Sequence, residues 1–114
     1  VNARANAAAR KALRQRSATT RARAAIARRG EASLTRHAIA AGLPLGEARS
    51  MAGSLKRNAE KLGVEGHAVR LKATRAPRRD TSTRYTRDQV RMTAMQYRPR
   101  KPEFKTARDF LLTF

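Results

Sequence analysis

Apolar residues recur at helical spacing through most of this chain. In the first thirty residues they are Ala5, Ala8, Ala9, Ala12 and Leu13, then Ala22, Ala25 and Ile26, a spacing that follows a 3.6-residue period. The residues between them are largely Ala, Arg, Lys and Gln, all strong helix formers. This predicts two helices, Asn2–Arg16 and Thr20–Arg29. Ser17, Thr19 and Thr20 predict a break or cap between the two, and Gly30 a stop after the second. Alanine stripes bury little area, so both helices should need a partner surface.

Ser33 can cap a short helix through Leu34, Ala38, Ile39 and Ala41, ended by Gly42. The most regular stretch comes next. Leu45, Ala48, Met51, Leu55, Ala59 and Leu62 are spaced 3, 3, 4, 4 and 3 residues apart, which predicts an amphipathic helix from about Gly46 to Lys61, stopped by Gly63.

The period then changes. Ala68, Val69, Leu71 and Ala73 mix with His67, Arg70, Lys72 and Thr74 in partial alternation, and Thr81, Thr83 and Tyr85 resume a β-branched and aromatic pattern after the charged stretch Arg75–Asp80. Two short strands around a basic loop form a hairpin. The competing reading is a solvated linker, because the turn has no Gly. Thr86-Arg-Asp-Gln89 fits a capping box and opens a helix through Val90, Ala94 and Tyr97 that stops before Pro99. After Pro102 a last helical segment carries Phe104, Phe110, Leu111 and Phe114. This patch should be buried, on the chain's own core or across a homodimer or larger assembly.

Charge narrows the partner. The chain has 114 residues and sets 27 Lys and Arg against 8 Asp and Glu, a formal net charge of +19. Repulsion of that size opposes a compact state unless a polyanion neutralises it. Nucleic acid fits, because Lys and Arg displace its condensed counterions. A GC-rich genome accounts for Arg outnumbering Lys, but not for the scarcity of acids. Residues 1–30 hold no acid and nine basic residues. A transit peptide has similar composition, but the basic excess continues along the whole chain, which favours a nucleic-acid-binding arm. Arg10, Lys11, Arg14, Arg21, Arg28 and Arg29 are its candidate backbone contacts.

The segment Leu34 to Leu55 resembles the helix-turn-helix family. Ala38 is the small residue of the first helix, Gly42 the turn glycine four residues later and Leu43 the apolar residue after it; Ala48 and Met51 supply the apolar positions of the second helix. His37 stands where the family usually has an apolar residue. The resemblance implies that Glu47, Arg49, Ser50, Gly53, Ser54 and Arg57 form the face offered to the major groove, with Arg49 and Arg57 able to reach guanine or phosphate. The hairpin turns the resemblance toward the winged variety, with Arg75, Arg78 and Arg79 at the wing tip.

The expected architecture is mainly α: a winged helix-turn-helix-like unit at 31–86, a basic Ala/Arg helical arm at 1–30 and a helical extension at 87–114. The expected function is that of a small DNA-binding regulator or accessory factor of a phage or mobile element, in the cytoplasm or nucleoid. The alternative is a structural component of a nucleoprotein assembly, a ribosome-like particle or a virion, whose arm threads through RNA or packaged DNA. DNA is favoured over RNA, since five aromatics, three of them in the last eleven residues, make a poor stacking platform. No catalytic residues, metal ligands or cofactors are expected. His37 and His67 lie in different elements, and the acids are scattered. The chain has no Cys and no phosphate-cradling Gly-rich loop. No apolar run is long enough to span a membrane.

Overall fold

A computed structural model describes residues 3–70 and 81–114 as mainly helical, with five helices and one small antiparallel sheet. The first helix, α1 (Ala3–Arg29), is continuous, which corrects the expected break at Ser17–Thr20. Of the polar residues there, Ser17 and Thr20 are exposed and Thr19 is a docking group, not a cap. Gln15 Nε2 donates to Leu43 O at 2.9 Å, Thr19 Oγ1 to Ile39 O at 2.9 Å and Arg23 Nε to Ala40 O at 2.8 Å. Residues four apart share a helix face, so the three form one seam. It adds donors to two carbonyls in the last turn of the second helix, Ile39 and Ala40, and to Leu43 in the turn after it.

Gly30, at φ +77°, releases the chain from α1 into a two-residue strand, β1 (Glu31–Ala32), which the hydrophobic pattern did not announce. Ser33 then caps α2 (Leu34–Ala40), its Oγ accepting from Arg36 N at 3.2 Å. The turn to the next helix passes through Gly42 at φ +102°, a conformation that side-chain-bearing residues rarely take. Helix α3 (Leu45–Leu62) buries Ala48, Met51, Leu55 and Ala59, as the spacing predicts, and ends on Gly63 in the left-handed region.

The hairpin expectation is met by β2 (His67–Arg70) and β3 (Thr81–Thr86), antiparallel from His67 opposite Arg84 to Arg70 opposite Thr81. The last two residues of β3 pair instead with β1, Tyr85 opposite Ala32 and Thr86 opposite Glu31. The strand order is therefore β1-β3-β2. The capping box at Thr86 and Gln89 is present in full and starts α4 (Arg87–Met95), and after a Pro-containing link α5 (Pro102–Thr113) follows.

The main core lies between α2, α3, α4, α5 and Tyr85 of β3, and a smaller cluster of Ala22, Ile26, Ala32 and Ala40 holds α1 to it. The C-terminal patch closes on this body. Leu111 is buried, Phe110 and Phe114 stack on one another at 4.8 Å, and Arg23 and Arg87 sit 4.5 Å and 4.4 Å over their rings. Guanidinium over an aromatic face is an attractive contact. Arg23 therefore ties α1 to both α2 and α5. Arg108 of α5 repeats the capping device on α4, its Nε donating to Ala94 O at 3.0 Å. A cation at a helix C-terminus also meets the favourable end of the dipole.

Candidate nucleic-acid interface

His37, the residue that departs from the helix-turn-helix pattern, lies in the core at 1% exposure. Its ring bridges the helix pair to the sheet: Nε2 donates to Tyr85 O at 2.7 Å. Burial lowers its pKa below the ordinary 6.5, opposed by the bond to the carbonyl and assisted by the nearby Arg87 charge. The imidazole is thus neutral, with its proton on Nε2. This bond fixes α2 against β3, and with it the angle between the helix pair and the hairpin. His67 is a surface residue at the start of β2, paired through Nδ1 with Glu31 at 2.9 Å.

The helix pair presents one face of α3 to solvent. Glu47, Arg49, Ser50 and Arg57 are exposed, and Gly53 and Ser54 half-exposed, all away from the buried stripe. Arg57 donates to Ser54 Oγ at 3.2 Å, which aligns these two side chains along one turn. Pro44 occupies the N-cap of α3 and provides no side-chain acceptor. The first-turn N–H groups of this helix therefore have no side-chain cap, and such groups attract anions.

A groove runs between this face and β3. Its walls include Gly53 and Lys56 of α3, Ser33 and Thr35 at the start of α2, and Thr81 and Thr83 of β3. Lys56, Thr35 and Thr81 are additions to the candidate set. The only sequence signal for Lys56 was its position three residues after Gly53 on the same helix flank; the partnership with β3 depends on a strand pairing that local pattern does not reveal. The expected wing-tip residues Arg75, Arg78 and Arg79 lie outside the described residues.

Arg10, Lys11, Arg14, Arg21, Arg28 and Arg29 are all exposed on α1. Arg10 and Arg28 are five helical turns apart, and Arg14 and Arg21 fall in the same stripe, whose later half flanks α2 at Arg36 and Ile39. Every residue from Ala3 to Arg14 is exposed. Because α1 runs antiparallel to α2, these three turns overhang the α2–α3 turn. Their helicity propagates from the docked half, which avoids the cost of nucleation.

No aromatic ring is fully exposed among the described residues. Tyr85 is buried and Tyr97, Phe104, Phe110 and Phe114 are half-buried. No group of three or more His, Cys, Asp or Glu is placed to hold a metal among the described residues. Among the same residues no helix is long and apolar enough to cross a membrane. No protein-family model, curated protein or solved structure matches this chain.

Proposed function

We propose that this chain binds double-stranded DNA as a winged helix-turn-helix protein, with α3 in the major groove and the α1 overhang on the phosphate backbone. The observation that carries the reading is the α2–α3 pair itself, turning on Gly42 at φ +102°. It leaves the face around Arg49 and Arg57 open beside a hairpin that springs from the far end of α3. The element order supports the winged form, since β2 and β3 follow the second helix of the pair directly. The aromatic side chains are spent on the core, which favours a duplex over splayed single-stranded bases. On this reading the chain serves as a regulator or accessory factor of a phage or mobile element. The twelve exposed residues Ala3–Arg14 give some support to the second reading, an assembly component whose basic helix threads through packaged nucleic acid.

The test is a binding comparison between a pool of duplex DNA and structured RNA over a salt series. With about 6–8 phosphates contacted, DNA affinity should fall by about three decades or more between 50 and 200 mM salt. Arg49→Ala should cost about 1–3 kcal/mol on a selected site and little on random duplex. Removal of residues 1–14, which spares the seam at Gln15, should weaken all sequences alike. Preference for RNA, or an Arg49→Ala loss equal on all sequences, refutes the sequence-reading role.

A further inference from the structure

Beside the groove, the surface has the chemistry of a second kind of site. A cavity of about 170 Å3 opens where the end of α1 meets the sheet, with Arg29, Arg36, Arg84, Ser33, Ser82 and Glu31 on its walls. The three guanidinium groups come from three elements: the last turn of α1, the first turn of α2 and the middle of β3. The pairing of β1 with β3 is what brings them together. None of the three meets a carboxylate among the described residues. The carboxylate on the wall, Glu31, is held by His67 Nδ1 at 2.9 Å.

Like charges gathered around one concavity repel, and an anion between them reverses the sign of the interaction. Guanidinium groups offer forked donors that match the oxygens of a phosphate. Ser33 Oγ accepts from Arg36 N, so its hydroxyl proton is available to donate. Ser33 and Ser82 also line the groove between α3 and β3. The cavity and the groove are therefore adjoining parts of one surface.

We propose that this cavity is a phosphate site, filled by one phosphate group. Its source is either a backbone phosphate of the duplex lying in the adjoining groove or free inorganic phosphate. The first source rests on the DNA-binding reading above, and the second stands without it.

Two measurements on the full chain test this. The first follows the arginine Nε–H signals by NMR while inorganic phosphate is added at constant ionic strength. Arg29, Arg36 and Arg84 should move together along one saturating curve, while Arg14 and Arg100 stay still. The Arg36→Gln/Arg84→Gln double variant should lose at least tenfold in phosphate affinity while retaining wild-type signals for the buried core. If all arginines drift in parallel without saturation, the site does not exist. The second measurement is the salt slope of duplex binding. A single shared phosphate predicts that the slope falls by about 0.9 in the double variant; two independent contacts would remove about 1.8 and refute the shared site. An unchanged slope with an intact phosphate titration assigns the site to free phosphate. A chain that titrates with phosphate but binds no duplex refutes the DNA reading and leaves the site standing.

Discussion

Two glycines are required for different reasons. Gly42 has open space where a Cβ would stand, so its constraint is the backbone at φ +102° alone. Gly66 has no such conformation, but a Cβ there would meet the Thr83 side chain, the Arg84 carbonyl at 2.8 Å and the Tyr85 ring at 2.9 Å. Gly42→Val should cost at least about 1 kcal/mol, and Gly66→Ala about 1–3 kcal/mol through strand displacement, both read from urea unfolding. If Gly66→Ala keeps the wild-type midpoint, β3 does not pass where it is described. His37 adds a pH dependence. Its folded pKa is depressed, so its contribution is fully present above the ordinary 6.5 and is lost as pH falls from there through the folded value. Unfolding midpoints at pH 7.5 and 5 should therefore diverge more in the wild type than in His37→Gln. Equal decline in both would place the titrating group elsewhere.

At the scale of elements, the sequence was legible wherever one period ran unbroken. Helix α3, the cap at Ser33, the capping box at Thr86 and the turn at Gly42 all follow from local rules, because each is made of neighbours in the chain. Helix α1 departs from its local pattern for the opposite reason. Ser17, Thr19 and Thr20 have local preferences for caps, yet Thr19 donates to a carbonyl twenty residues away, and such a partner overrides propensity without changing the pattern. Strand β1 was invisible because two residues carry no period. The groove face of Lys56 and the cluster at Arg84 depend on β1 and β2 both pairing with β3, so no window of sequence contains them. Thr19→Val keeps the shape of the side chain and removes the donor. The Ile39 carbonyl still accepts from Gly42 N at 2.9 Å, so the expected loss is that of one hydrogen bond, about 0.5–1.5 kcal/mol, and a wild-type melting temperature would mean that α1 docks by packing alone.

At the scale of the molecule, the basic residues divide between two kinds of work. One set lies along the exposed stripe of α1, the open face of α3 and the cavity beside β3. The other set holds the body together, with Arg23 and Arg108 on helix-end carbonyls and Arg23 and Arg87 on the stacked rings of Phe110 and Phe114. Ion pairs contribute little to the fold. Three are found among the described residues, and each has a partner that is largely solvent-exposed, where such pairs are weak and screened. Carbonyl and ring contacts at close range lose far less to dissolved ions, while the mutual repulsion of a chain at +19 is relieved by them. The brine that strips this protein from a polyanion should therefore tighten the protein itself. Thermal melting in 0.1 and 1 M sodium chloride should show a midpoint that holds or climbs across the range in which DNA affinity collapses; a falling midpoint would mean that ion pairs, and not the Arg23 and Arg87 stacks, join the two ends of the chain.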